Sequence, residues 1–197
     1  MSKVSCALLV LLVACWAGCR GSSPSRVANE NVNGSANSGG EKVQLKVTSA
    51  AFAEGQSIPA QYTCDGRNVS PPLAWDGVPS NAKTLALVAD DPDAPRGTWV
   101  HWVLFNLPAG EKALAEALPA TETLASGAKQ GKNDFGNAGY GGPCPPSGAH
   151  RYFFKLYALD TRLDLASGAT KDQLLKAMQG HVVAEGELMG RYQRAKR

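Results

Sequence analysis

Three stretches of this chain hold residues whose types and spacing suit the handling of a small charged group. Asp90-Asp91-Pro92-Asp93-Ala94-Pro95 concentrates carboxylates in a turn bounded by prolines, and His101 follows a few residues later among Trp99, Val103 and Phe105. A second histidine, His150, opens an aromatic run directly after the Gly/Pro-rich stretch YGGPCPPSGA. Proline fixes φ and removes a donor, while glycine reaches conformations closed to other residues, so together they shape a loop of one form. If the flanking strands are neighbours, two imidazoles, an aspartate cluster and a shaped loop meet at one end of a sheet. A polar pocket in an apolar wall is the usual composition of a small-ligand site. Singly each residue has a plainer role, as a satisfied core histidine or an ordinary turn.

The elements that must position these residues read mostly at period two. Lys42 to Val47 alternates, with Val43, Leu45 and Val47 on one side; Lys83 to Ala89 and Trp99 to Leu107 are apolar on both faces, as strands covered twice would be. Ala149 to Leu159 is a further strand and His181 to Leu188 another, with turns at Asp76-Gly77 and Pro108-Ala109-Gly110. This pattern predicts a mainly β protein, an antiparallel β-sandwich with one or two short helices. Thr170 with Gln173 three residues on forms a capping box ahead of Leu174, Leu175 and Met178, and Gly180 ends that helix. A second short helix is predicted over Glu111 to Leu118. Between Ser126 and Gly148 no period is usable, and connections this long inside a domain are generally functional or disordered.

Ahead of this domain the composition changes twice. A basic start (Met1-Ser2-Lys3) leads into the apolar run Val4 to Ala14, too short to span a bilayer and typical of an export signal. Leu12-Val13-Ala14-Cys15 resembles a bacterial lipobox and Trp16-Ala17-Gly18-Cys19 is the alternative, so residues 1–19 are expected to be a lipoprotein signal, with Cys15 or Cys19 lipidated. Residues 20–40 are rich in Gly, Ser and Asn and read as a tether, with a span on the order of 25 Å. The expectation is an exported domain, 41–197, held to a membrane through its lipid. The formal net charge of +3 is small and the basic residues are scattered, so nucleic acid is not an expected partner.

Three motifs in order, DPDAP, W-x-H-W (Trp99 to Trp102) and GPCPPSGAHRY, resemble the phosphatidylethanolamine-binding protein family in its bacterial Raf-kinase-inhibitor-like (YbhB/YbcL) branch. The likeness runs from about Leu45 to Tyr192. It implies a Greek-key-like sandwich and a pocket for a small anion or phosphorylated head group. Carried over by motif, that pocket comprises Asp91, Trp99, His101, Gly142, Pro143, His150 and Tyr152, supported by Asp93 and Arg151. Imidazoles donate to phosphate oxygens, and a Gly-rich turn adds backbone N–H groups. Asp91, bonded to a ring nitrogen, would orient that histidine and favour its charged form. The helix bordering the pocket in many eukaryotic members has no counterpart after Tyr192, which implies a more open mouth.

Cys6 lies in the signal and Cys15 or Cys19 is the lipidation site, so the folded domain holds Cys64 and Cys144; in an oxidising compartment such a pair suggests a disulfide, the alternative being two buried thiols. No short-range pair of ligands suggests a metal, and no cofactor is implied. Two function classes follow. The first is a non-enzymatic binding module that takes an anion and modulates a protein partner. The second is a hydrolase of a phosphate or other ester using His101 and His150 as acid and base, against which stands the lack of a G-x-S-x-G elbow.

Overall fold

Alternation at period two becomes two packed sheets in a computed structural model that describes residues 43–195. The expected signal, lipidation sites and tether lie outside the described residues. In chain order the strands are β1 (Val43–Gln44), β2 (Lys46–Thr48), β3 (Leu73–Asp76), β4 (Thr84–Asp91), β5 (Trp99–Pro108), β6 (Ala113–Leu114), β7 (Lys129–Gln130), β8 (Ala149–Leu159) and β9 (Val182–Gln193). Helix α1 (Lys171–Ala177) precedes the last strand, and a 3-10 turn spans Ala60–Tyr62. Six strands form one sheet in the order β1-β9-β8-β4-β5-β7, and β2-β3-β6 form the second.

Between the sheets lies the larger core. Val47, Leu73, Trp75 and Leu114 of the small sheet pack on Leu87, Trp102, Tyr152, Phe154 and Leu188 of the large one. The opposite face of β4 and β5 is covered as well, because Val88, Val103 and Phe105 meet Leu163, Leu174 and Met178. This explains why those two strands lack polar alternation: every residue of β4 is buried. The capping box of α1 is complete, with Gln173 N–H donating to Thr170 Oγ1 at 3.3 Å and Thr170 N–H to Gln173 Oε1 at 2.9 Å.

Three sequence expectations are corrected. The alternating stretch from Lys42 to Val47 is two strands in different sheets: β1 runs parallel to β9, whereas β2 pairs antiparallel with β3. Leu45 makes the crossing, donating its N–H to Glu185 O at 2.8 Å with its side chain buried, so Val43 is left 47 % exposed. Its apolar spacing reflected the burial of Leu45 and Val47 alone. The helix expected over Glu111 to Leu118 is absent. Ala113–Leu114 is edge strand β6 on β3, and Ala117 has φ +59, which a right-handed helix excludes. Its N–H goes to Ser70 O at 2.9 Å, so tertiary bonding outweighs local helix preference. Finally, the strand expected from His181 to Leu188 starts at Val182 and continues to Gln193, pairing with β8 over nearly its whole length.

The aperiodic segment is ordered by the edge of β5. Gly131 N–H donates to Val103 O, Asp134 N–H to Val100 O and Gly141 N–H to His101 O, each at 2.9 Å. The segment thus extends the sheet past β7 without adopting strand geometry.

Candidate functional site

The three motifs converge because β8, β4 and β5 are adjacent in the large sheet. At their shared end the β4–β5 register slips: Ala89 faces Trp102, yet Asp90 faces Val100, leaving His101 as an extra residue. Such a bulge re-aims side chains. A cavity of about 280 Å3 opens there, with Asp91, Trp99, His101 and His150 in its wall together with Phe135, Arg96, Pro145 and Pro146.

The two histidines are held differently. His150 Nδ1 donates to Asp91 Oδ2 at 2.8 Å, and both side chains are buried. Asp91 Oδ1 accepts from Asp93 N–H at 2.8 Å, so the turn fixes the carboxylate that orients the ring. His101 instead lies 2.6 Å from the carbonyl of Gly141 through Nδ1. A carbonyl only accepts, so that nitrogen carries the proton. Burial pushes the His101 pKa below its ordinary value, favouring the neutral ring, whose Nε2 is then an acceptor. The Phe135 and Tyr152 rings meet it edge-on, with centroids 5.5 and 5.2 Å away.

The remaining sequence-derived candidates surround the cavity without lining it. Tyr152 stands beneath His101; its hydroxyl is buried near the Asp91 carboxylate, and burial followed by that charge raises its pKa strongly. Trp99, in the cavity wall, has a buried Nε1 without a partner. Gly142 and Pro143 form the back of the loop. A Cβ at Gly142 would lie 2.4 Å from Tyr62 O and 2.6 Å from Asn68 Oδ1, so only glycine permits this approach. Its N–H donates to Asn68 Oδ1 at 2.7 Å, and Pro143 O accepts from Cys64 N–H at 3.1 Å. Cys64 and Cys144 are joined by a disulfide across a sequence separation of 80. Asp93 and Arg151 face away from the cavity in a two-point pair, Nε to Oδ2 at 2.9 Å and Nη2 to Oδ1 at 2.6 Å. The guanidinium holds the Asp93 carboxyl down to about 2.

Several wall residues were missed in the sequence. Phe135, 44 % exposed, leans edge-on against Trp99 with centroids 5.5 Å apart. An aromatic in a Gly- and Asn-rich segment was its one signal. Asn68 and Asp134 are positioning residues, Asp134 Oδ2 accepting Val100 N–H at 2.7 Å, and nothing in their local sequence marked them. Among the described residues no group of three or more His, Cys, Asp or Glu is arranged to hold a metal ion.

Residues 48–193 match the family described as phosphatidylethanolamine-binding protein. The chain belongs to the phosphatidylethanolamine-binding protein family. A relative in Methanothermobacter thermautotrophicus, described as a UPF0098 protein, is 56 % identical over 150 residues, covering 76 % of this chain and 99 % of the relative. Another UPF0098 protein, from Aquifex aeolicus, is 45 % identical over 153 residues, covering 76 % of this chain and 89 % of its own length. Among solved structures, a phosphatidylethanolamine-binding protein homolog of Chlamydia trachomatis superposes with TM-score 0.71 at 45 % identity, covering 78 % of this chain and 99 % of that one. YbcL of E. coli, whose structure is described as a new member of the mammalian family, superposes with TM-score 0.72 at 34 % identity over 79 % of this chain and all of its own. As in those members of the phosphatidylethanolamine-binding protein family, the architecture here is mainly β.

Proposed function

We propose that this member of the family is a binding protein whose cavity takes a small anion or a phosphorylated head group through Asp91, Trp99, His101, His150 and Tyr152. One observation carries the reading: a buried donor, Trp99 Nε1, lies in the cavity wall without a partner. A buried donor left unpaired costs about 1–3 kcal/mol, and an acceptor-rich ligand would relieve that cost. Gly142 and Pro143 shape the loop behind the cavity, while Asp93 and Arg151 steady the turn at its edge.

Around this pocket we place the exported, lipid-tethered domain expected from residues 1–40, anchored through Cys15 or Cys19, with modulation of a protein partner as its output. The Cys64–Cys144 disulfide supports an oxidising compartment. Native mass spectrometry of the purified protein against phosphate, phosphoethanolamine and short-chain phospholipids, with His150→Ala alongside, tests the pocket. Binding by the parent that the variant loses is the expected result, and equal binding by both would place the ligand elsewhere. The hydrolase reading rests on the Asp91–His150 dyad, but no hydroxyl side chain or free thiol lines the cavity among the described residues. Phosphoester hydrolysis abolished by His150→Ala would reverse the ranking.

A further inference from the structure

Arg96 lines the cavity at its exposed rim and has no hydrogen bond or ion pair among the described residues. Its backbone is fixed although its side chain is free. Pro95 precedes it, Gly97 N–H closes the turn on Ala94 O at 3.1 Å, and Gly97 has φ +106, a conformation L side chains rarely adopt. The turn therefore holds a guanidinium, with five donors in a rigid fork, at the mouth of the site.

Beneath it the floor supplies no surplus positive charge. Asp91 with His150 sums to zero when the imidazole is protonated and to −1 when it is not. His101 is neutral, its Nδ1 proton committed to Gly141. Arg151 is matched by Asp93 on the outside, and Asp134, beside the site, adds a negative charge. A bound anion is thus balanced by Arg96 or by nothing.

We propose that Arg96 selects ligand charge at this site, admitting a phosphoryl group with a single negative charge, of the phosphodiester kind, and disfavouring dianions. The inference rests on the reading of the cavity as a phosphoryl site. Zero or −1 on the floor and +1 at the rim together accommodate one negative charge at most, and a second would face the Asp91 carboxylate uncompensated.

The test is an NMR titration of the full chain at pH 7.5 and low salt with dimethyl phosphate (a monoanion), methyl phosphate (largely a dianion) and trimethyl phosphate (neutral), comparing the parent with Arg96→Gln, Arg96→Lys and His150→Ala. The parent is expected to prefer dimethyl phosphate to methyl phosphate. Arg96→Gln should weaken dimethyl phosphate binding about tenfold, by a factor that shrinks as salt is added, and leave trimethyl phosphate unchanged; Arg96→Lys should restore most of the loss. Binding of dimethyl phosphate unchanged in Arg96→Gln, equal weakening of all three probes, or a preference for the dianion overturns the assignment. If the parent binds and only His150→Ala loses binding, the phosphoryl reading stands and the role of Arg96 falls. If no probe shifts a cavity resonance in the parent, both fall. Dihexanoyl phosphatidylglycerol and its deacylated head group, run in parallel, separate a lipid from a soluble phosphodiester: tighter binding of the lipid identifies the first source and equal binding the second. In either case the assignment requires that Arg96→Gln weaken both.

Discussion

Asp90 and Asp91 are neighbours at the end of one strand, yet they serve opposite faces of the large sheet in opposite ways. The Asp90 side chain is fully buried and meets two ammonium groups, Lys155 Nζ at 3.0 Å and Lys171 Nζ at 2.5 Å. Lys171 opens α1, so this cluster fastens the helix to the sheet. Asp91 meets a single imidazole and faces a cavity in which the Trp99 Nε1 donor remains unpaired. On one face polar demand is closed by the protein itself; on the other it is left partly open. Charge alone does not distinguish a structural carboxylate from a ligand-site one, but the state of its neighbours does.

Five measurements would break or sharpen this contrast. The largest effect is expected on the cavity side, where removing the disulfide with Cys64→Ala and Cys144→Ala frees a loop of 80 residues and should cost about 4.5 kcal/mol on the chain-entropy model. Equilibrium denaturation would read it, and a loss under about 1 kcal/mol would show that the hydrogen bonds of Gly142 N–H to Asn68 Oδ1 and of Tyr140 Oη to Tyr62 O hold the loop unaided. On the helix face, Lys155→Met with Lys171→Met strands Asp90 in the interior and should cost about 3 kcal/mol while leaving the folded protein's phosphate binding intact. Lost binding at full stability would contradict the division of labour.

Asp91→Asn should reverse that pattern, with stability changed by less than about 1 kcal/mol and anion affinity reduced about tenfold, as measured by titration calorimetry. A smaller effect is pH-dependent. Because the folded pKa of His101 lies below the 6.5 of the unfolded chain, the unfolded state takes up the proton first. Its contribution is therefore complete above about pH 6.5 and declines as the pH falls below that value, and the decline should be absent in His101→Gln. Thermal melts between pH 5 and 8 would check it, and matching slopes in parent and variant would refute it. The smallest effect concerns Asp93, held at about 2 against 3.8 when unperturbed. Its share of stability is present above about pH 3.8 and lost as the pH falls toward 2. Arg151→Gln should remove that small acid-side slope in melts taken between pH 2 and 4.

Much of this contrast was legible in the sequence, for physical reasons that also explain what was not. Ala149 to Leu159 carries one face of the main core, so apolar alternation marked its full length. The capping box made α1 readable because its bonds are local. His101 stood out as a polar residue in apolar surroundings, Asp91 as part of a carboxylate-rich turn, and His150 as the start of an aromatic run after a Gly/Pro stretch. Long-range partners leave no such trace: Lys155 and Lys171 look like any surface lysines, though together they meet the buried Asp90 carboxylate. The two-residue strands β6 and β7 are too short to display a period. Phe135 and Arg96 belong to turns whose positions depend on how other segments pack around them.

The bonds between Gly141 and His101 have a kinetic corollary. Gly141 N–H donates to the backbone carbonyl of His101, and the His101 ring donates back to Gly141 O. A connection that looks irregular is thereby zipped to the edge of β5 by backbone and side chain at once. Its amides should exchange with deuterium at rates set by the opening of the sheet, far slower than its lack of regular structure suggests. A loop that opens only with the sheet leaves little shape to be selected when a ligand arrives, so association would be governed by encounter at the mouth, with no separate loop-closing step.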